Sequence, residues 1–308
     1  MFNNLQKTLS QPIEFQGVGL HTGVKSKIKV KAASENTGIV FERVDLKKDN
    51  LILANFKNVS SSVLCTKITN SKNISVSTIE HLLAAFYITG IDNVLIEIDN
   101  IEVPIMDGSA IDFVKKINQA GLKNQSIPKN TFNIKKKTEL KIDNKYISIE
   151  PNASGLLVDF KLNYENKIIG SQRNSVDFNK DDLKDIYSAR TFCLFEDIEK
   201  IKKLGFAKGG SLQNAIVVKE NKILNEGGLR NNLEFVNHKI LDLVGDFLLS
   251  GYRINGKITS IEGGHNLSIN FLNKLFNQAV TQKEVLVKEA KNSKNIIQKV
   301  PNQLAVNS

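Results

Sequence analysis

The spacing of hydrophobic and polar side chains predicts strands and helices in the first part of the chain. Residues 11–33 alternate on both sides of a glycine-rich turn, which predicts a β-hairpin. Residues 77–87 carry apolar side chains at helical spacing and end at Gly90, so they predict a helix. Residues 94–98 and 101–105 favour two strands around a polar turn.

The remainder of the chain again offers strands followed by helices. Residues 111–120 predict a helix, and the polar stretch 123–130, which contains Pro128, predicts a linker. A long helical pattern covers residues 231–250. Strand signals in this part are residues 132–134, 146–149, 155–162 and 258–261, followed by a strand or helix start at 267–271. This order indicates α+β layers and argues against a regular βαβ repeat.

Length and composition indicate a folded protein of about two domains. The chain has 308 residues, of which 41% are hydrophobic, enough for a sizeable core. No apolar run approaches the roughly 18 residues of a membrane span, so we expect no transmembrane segment. The first residues lack the apolar region of a signal peptide. The two cysteines, Cys65 and Cys193, cannot form a disulfide framework, and a cytoplasmic location is expected.

The basic charge allows a nucleic-acid-binding protein as a non-enzymatic alternative. The formal net charge is +10, but the lysines are dispersed, with the densest runs at residues 135–137 and 283–299. Clustering matters more than total charge for such binding. We therefore favour a solvated lysine-rich surface and expect no nucleic-acid partner. An enzyme that acts on an anionic substrate is a third possibility.

One helix carries a group of side chains that suits a metal ion. His238, Asp242 and Asp246 follow one another at every fourth position and share one face of the helix predicted at 231–250. A solvent-exposed polar face is the simpler interpretation, but such a face in this chain would carry mostly Lys and Glu. A His nitrogen and an Asp oxygen four residues apart can reach the same ion.

Glu80 and His81 also have two interpretations. Ser77 and Glu80 have the spacing of a capping box, in which Glu80 only satisfies a helix N-terminus. Alternatively, His81 is the third metal ligand and Glu80 is a general base beside it. The pair alone is a weak signal, and the group on the other helix strengthens it.

Three protein ligands leave a tetrahedral zinc ion one open position, as in catalytic sites. The expected chemistry is metal-assisted hydrolysis of an amide or ester. His265, which follows two glycines, is the candidate acid, with Asp246 to orient it. An ordinary loop histidine is the alternative. Glu262 is expected to raise the pKa of His265.

Several segments, in order, resemble the zinc-dependent UDP-3-O-acyl-N-acetylglucosamine deacetylases of lipid A synthesis in Gram-negative bacteria. The matching segments are residues 17–23 (GVGLHTG), 77–85 (STIEHLLAA), 104–110 (PIMDGSA), 189–192 (ARTF), 231–246 (NN through HKILDLVGD) and 264–265 (GH). The resemblance covers roughly residues 5–285, and several motifs in order are far more specific than one.

The resemblance implies an α+β fold of two facing two-layer α/β sandwich domains, each a sheet packed with helices, with the active site between them. Domain I would cover residues 1–125 and domain II residues 130–285, followed by a basic tail at 286–308. An insert at about residues 193–222 would form a tunnel for an acyl chain. A flexible glycine-marked loop is the alternative. The predicted wall residues are Leu194, Ile198, Ala207, Ser211, Ala215 and Val217.

The resemblance also assigns the metal site. It implies that His81, His238 and Asp242 bind Zn²⁺, with Fe²⁺ as an alternative because N and O ligands accept either metal. Glu80 would be the general base for the attacking water. Cys65 matches a family position near the metal, and we interpret it as a small core residue.

Further roles follow from the same resemblance. His265 would stabilise the oxyanion and protonate the leaving amine, with Asp246 behind it. Thr191 would donate to the oxyanion, Phe192 would pack against the sugar, and Lys239 would contact the anionic part of the substrate. His21 is interpreted as structural support.

The expected activity is therefore hydrolysis of the N-acetyl group of UDP-3-O-(3-hydroxyacyl)-N-acetylglucosamine, with release of acetate, as the committed step of lipid A biosynthesis. The expected partner is this UDP-linked acylated amino sugar, and a monomer is expected. A zinc amidase or peptidase that acts on another substrate is the enzymatic alternative.

Overall fold

The structure, a computed structural model, describes residues 4–153 and 155–277. The helices are α1 (Glu80–Thr89), α2 (Ile111–Ala120), α3 (Lys184–Tyr187), α4 (Ile198–Lys203), α5 (Glu234–Leu248) and α6 (residues 265–277). Short 3-10 helices cover Phe56–Asn58 and Phe195–Asp197. The basic tail predicted at 286–308 lies outside the described residues.

Most strands follow one another in runs between these helices. In the first part they are β1 (Leu5–Leu9), β2 (Ile13–Val18), β3 (Lys25–Ala32), β4 (Ile39–Arg43), β5 (Leu51–Leu53), β6 (Val59–Ser61), β7 (Lys67–Thr69), β8 (Ser75–Ser77), β9 (Val94–Ile98) and β10 (Leu122–Pro128). In the second part they are β11 (Thr131–Asn133), β12 (Thr138–Ile142), β13 (Lys145–Glu150), β14 (Leu156–Asn163), β15 (Ser171–Asp177), β16 (Phe192–Leu194), β17 (Ile216–Lys219), β18 (Lys222–Ile223) and β19 (Arg253–Ile261).

The first part is built on a five-stranded sheet of order β2-β3-β9-β4-β5. The predicted hairpin is confirmed as antiparallel β2 and β3, in which Ile13 pairs with Val30. Inward positions of β3 are buried and alternate with more exposed ones, so one face forms the core. The Phe113 ring of α2 packs edge-on against Phe15 of β2, with centroids 4.8 Å apart. Strands β6, β7 and β8 form a separate small sheet.

The second part has a larger sheet of order β12-β13-β19-β14-β15, and β11 also pairs with β19. The central strand β19 alternates buried and half-buried positions along its whole length. Helix α5 contacts β14 and β15 of this sheet. A third set of strands, β16-β17-β18, forms a small sheet, and β17 contacts the 3-10 helix Phe195–Asp197. The mixed α+β class predicted from the sequence is confirmed.

Helices α1 and α5 join the two parts by packing directly against each other. Residues 80–86 of α1 are all buried, and so are nearly all residues of α5. Both helices are therefore central elements of the protein. Among the residues that the structure describes, no helix has the length and apolarity of a membrane span.

Two sequence-based predictions are wrong in detail. The predicted linker at 123–130 contains most of β10, which pairs antiparallel with β1. Residues 101–105 form no strand and make only a single bridge between Ser77 and Glu102. The limits of the two domains stay a prediction.

Gly245 permits the close contact between α5 and α1. A Cβ atom at this position would lie 2.1 Å from the backbone oxygen of Glu80. We expect Gly245→Ala to destabilise the protein by about 1–3 kcal/mol through overpacking, even though alanine favours helices. Urea unfolding measures the effect. Gly264→Ala is the control, because a Cβ there meets nothing within 4 Å. Equal stability of the two variants would contradict the prediction.

Candidate metal-dependent active site

The start of α1 brings Glu80 and His81 to the centre of the molecule. The chain leaves β8 at Ser77 and turns at Thr78, which has a left-handed backbone with φ of 56°. The capping-box interpretation is wrong, because the N-cap residue is Ile79 and it makes no side-chain cap bond. The Glu80 carboxylate instead accepts a hydrogen bond from the backbone N–H of Thr66, 3.0 Å away.

Helix α5 carries the other two residues that are predicted to bind the metal. His238 and Asp242 lie one turn apart and are both buried. Burial lowers the pKa of His238 to about 3, so its ring is neutral. The Nδ1 atom of His238 lies 3.0 Å from the carbonyl oxygen of Ala189. A donated hydrogen bond to this oxygen leaves Nε2 as the free ligand atom.

Three ligand atoms converge where α1 meets α5. Asp242 Oδ1 lies 3.5 Å from His81 Nε2 and 3.4 Å from His238 Nε2. The ligand atoms of the three residues all lie within 4.8 Å of one another. A tetrahedral ion with bonds of about 2.0–2.2 Å holds its ligand atoms about 3.3 Å apart, so the spacing suits such an ion.

The hydrogen bonding of Asp242 also fits a metal ion. Its Oδ1 atom is buried and has no hydrogen-bond partner among the described residues. Its Oδ2 atom accepts a hydrogen bond of 2.9 Å from Lys239 Nζ. Burial opposes the charged form, but the positive charge of Lys239 holds the pKa of Asp242 well below its usual value. A buried carboxylate oxygen without a donor requires a partner, and a cation supplies one.

Glu80, His265 and Asp246 form a second group beside the three ligands. His265 Nε2 lies 3.8 Å from Glu80 Oε1, and its Nδ1 lies 2.8 Å from Asp246 Oδ2. Thr66 connects these groups, since its hydroxyl donates to Asp246 Oδ1 at 2.6 Å and its N–H donates to Glu80. All four residues are buried.

Burial and nearby charges shift the pKa values of Glu80 and His265. Burial raises the pKa of Glu80. Burial acts to lower the pKa of His265, but the carboxylates of Asp246, Glu80 and Asp242 raise it to about 10. The prediction that Glu262 causes this shift is wrong, because the nearby carboxylates do so. The carboxylate of Glu262 accepts a hydrogen bond from Asn144.

The remaining predicted residues line the same cleft, whose volume is about 190 Å³. Thr191 is held by a hydrogen bond from its N–H to the Gly108 oxygen, 2.8 Å away. The ring of Phe192 lies under Lys239, with Nζ 5.6 Å from the centroid. The cleft is lined by Leu20, Leu64, Thr78, Glu80, His81, Ile105, Tyr164, Thr191, Phe192, His238, Lys239, Asp242 and His265. Asp246 lies behind His265.

A larger, mostly apolar cavity of about 370 Å³ adjoins this cleft and shares Leu20, Leu64, Thr191 and Phe192 with it. Five of the predicted tunnel residues line the cavity: Ile198, Ala207, Ser211, Ala215 and Val217. Leu194, the sixth, packs partly buried against the hydrophobic core.

Cys65 and His21 lie close to these two cavities. Cys65 is buried, and burial together with the Glu80 charge raises its pKa to about 12. A thiol that stays protonated is a poor metal ligand. His21 lines the apolar cavity, and its Nδ1 lies 3.3 Å from the N–H of Ala207.

Sequence reasoning missed several residues that hold the site. Thr66 is fully buried and bridges Glu80 and Asp246, but no motif surrounds it. Glu234 accepts hydrogen bonds from the backbone and the guanidinium of Arg190, which fixes the segment that carries Thr191. Only the fold brings these residues together, so spacing along the chain gives no signal for them.

Two buried histidines and an aspartate, with a carboxylate and a His–Asp pair beside them, define a class of site typical of metal-dependent hydrolases. A sequence model of the LpxC family, described as UDP-3-O-acyl N-acetylglycosamine deacetylase, matches residues 6–277. The match covers most of the chain, and the protein therefore belongs to this family.

Curated relatives carry the name UDP-3-O-acyl-N-acetylglucosamine deacetylase. The protein from Pseudoalteromonas translucida (strain TAC 125) is 40% identical over 273 residues, which is 88% of this chain and 90% of the relative. The Helicobacter pylori (strain ATCC 700392 / 26695) protein is 41% identical over 264 residues, 85% of this chain and 88% of its own. The Nautilia profundicola (strain ATCC BAA-1463 / DSM 18972 / AmH) protein is 42% identical over 264 residues, covering 85% and 89%.

Proposed function

We propose that this protein hydrolyses the N-acetyl group of UDP-3-O-(3-hydroxyacyl)-N-acetylglucosamine and releases acetate in lipid A biosynthesis. Family membership supports the reaction. The observation that carries the proposal is the convergence of Glu80 and His265 on the cluster of His81, His238 and Asp242 in one cleft. Metal-dependent hydrolysis of an amide uses this combination of a base, an acid and a cation.

The residues that would hold the metal are His81, His238 and Asp242. We propose Zn²⁺, because its usual ligands are His nitrogen and carboxylate oxygen in a tetrahedral arrangement. Fe²⁺ remains the alternative. When bound, such an ion acts as a Lewis acid that polarises the amide oxygen and lowers the pKa of a coordinated water to about 7.

Proton transfer is assigned to the residues beside the ligands. Glu80 takes a proton from the attacking water as the water oxygen bonds to the acetyl carbon. Its raised pKa suits a general base. His265, protonated because of its pKa of about 10, gives a proton to the amine as the C–N bond breaks and acetate leaves. Asp246 orients the ring of His265 through Nδ1.

The substrate is held by the cleft and the adjoining cavity. Thr191 donates to the oxyanion, and Phe192 packs against the sugar ring. Lys239, whose pKa Asp242 raises despite burial, offers a positive charge to the diphosphate. The apolar cavity takes the 3-O-acyl chain, since its volume and lining suit a hydrocarbon. A cytoplasmic location and a monomeric state stay predictions.

Metal analysis combined with an acetate-release assay tests the proposal. We expect about one zinc per chain, loss of activity after chelation, and recovery when zinc is returned. Three substrates should be compared: the 3-O-acylated UDP-N-acetylglucosamine, UDP-N-acetylglucosamine without the acyl chain, and an acetylated peptide. The acylated sugar nucleotide should release acetate fastest because it alone fills the apolar cavity. Activity in metal-free protein, or faster cleavage of the peptide, would contradict the proposal.

A further inference from the structure

A buried carboxylate outside the proposed catalytic group connects the two cavities. Glu102 is 1% exposed, and acidic side chains are rarely so deeply buried unless they are paired. Its Oε1 atom accepts hydrogen bonds from the N–H of His21 at 2.9 Å and the hydroxyl of Thr78 at 2.7 Å. Its Oε2 atom accepts from the N–H of Thr22 at 2.7 Å and from the Thr22 hydroxyl at 2.6 Å.

One side of this arrangement leads to the proposed catalytic residues. Thr78 is two residues before Glu80 and has a left-handed backbone, which is unfavourable for a β-branched residue. Such a conformation persists only where the surroundings fix it. The hydrogen bond from Thr78 to Glu102 is such a constraint, and it acts directly before α1 begins.

The other side leads to the apolar cavity. The backbone of residues 19–22 receives hydrogen bonds from the opposite part of the chain, from Gly209 N to Leu20 O at 3.0 Å and from Lys208 N to His21 O at 3.2 Å. Leu20 and His21 line the cavity. The turn lies so close to the carboxylate that a Cβ at Gly19 would be 2.3 Å from Glu102 Oε2.

We propose that Glu102 is a positioning residue that fixes the start of α1, and with it Glu80 and His81, relative to the turn that lines the apolar cavity. The inference rests on the proposed function, because it gives Glu102 a role in that reaction through the metal cluster. Glu102 touches none of the three proposed metal ligands and acts only through Thr78 and the turn.

The hydrogen-bond pattern requires a carboxylate at this position. Each oxygen of Glu102 faces a backbone N–H, that of His21 on one side and that of Thr22 on the other. In Glu102→Gln the amide NH₂ would point at one of these donors whichever way the amide is turned. The hydrogen bond from either His21 N–H or Thr22 N–H is therefore lost, although the side chain keeps its size.

The experiment compares Glu102→Gln and Thr78→Val with wild type and with the control Glu97→Gln, which removes a charge from a partly exposed ion pair with Lys31. Zinc affinity is measured by competition with a chelating dye, and kcat and KM are measured by acetate release. We expect Glu102→Gln and Thr78→Val to lower zinc affinity or kcat by about 10- to 100-fold, as for other residues that orient metal ligands. The control should match wild type.

Non-additivity separates positioning from general loss of structure. The double variant Glu102→Ala/Thr78→Val should be little worse than Glu102→Ala alone, because Glu102→Ala already removes the acceptor of the Thr78 hydroxyl. Thr22→Val, on the cavity side, should raise KM more than it lowers kcat. Simple additivity of the two losses would overturn the inference.

If Glu102→Gln fails to fold, Thr78→Val alone tests the positioning role of Glu102. Wild-type zinc affinity and kcat in Thr78→Val would overturn the inference. Failure of the proposed function is recognised separately, as a lack of acetate release by zinc-loaded wild type. In that case the zinc-affinity measurements still test whether Glu102 positions His81.

Discussion

Replacing His238 with alanine is expected to remove the metal from this protein and abolish acetate release. His238 supplies one of the three atoms that we propose as metal ligands, and its neutral ring is oriented by Ala189 so that Nε2 is free to bind. Two ligands cannot hold an ion that three hold in a buried tetrahedral site. Metal content after dialysis should fall from about one zinc per chain to a small fraction of that.

The thermal stability of the same variant gives a second measurement. Zinc that binds only the folded state stabilises it by about 4 kcal/mol at a thousand times its dissociation constant. Wild type should therefore melt at a higher temperature with zinc than without, and His238→Ala should lose this difference. Asn237→Ala is the matched control, because Asn237 is the neighbouring buried polar residue and bonds to Asn174 and Asn231 instead. Unchanged metal content in His238→Ala would remove His238 from the ligand set.

The elements whose limits the sequence predicts correctly are amphipathic. Strand β9 and helix α2 have the predicted limits, because one face of each is buried and the apolar spacing shows it. The burial pattern of β10 explains why the sequence predicts a linker there. Its seven residues are exposed or half-buried in a two-stranded sheet, so no apolar alternation marks it.

Some residues of the candidate site are also predictable from the sequence, and others are not. The spacing of His238 and Asp242 on one helix is visible in the sequence, because residues four apart share a face. No spacing rule connects them to His81 on α1, or to His265 at the start of α6. Family resemblance supplied that connection. Thr66 and Glu102 carry no motif of their own, and their hydrogen bonds to Glu80 and Thr78 arise only from the fold.

The sequence also suggested a capping role for Glu80 that the fold does not use. Ser77 belongs to β8, and after the left-handed turn at Thr78 the N-cap residue of α1 is Ile79. The Glu80 side chain then has no helix N-terminus to satisfy. It is buried beside His81, where burial raises its pKa. The Glu80 carboxylate, to which the spacing assigns a capping role, is therefore available for chemistry.

Glu80→Gln is expected to lower kcat by about 10²- to 10⁴-fold, the usual contribution of a general base. The amide cannot accept the proton of the attacking water, but its oxygen can still accept the hydrogen bond from Thr66. The proposed metal ligands are unchanged, so zinc content and KM should stay near the wild-type values. Acetate release under saturating substrate measures kcat, and Glu97→Gln, at a partly exposed position, controls for loss of a charge. A kcat within a few-fold of wild type would contradict the assignment of Glu80 as the general base.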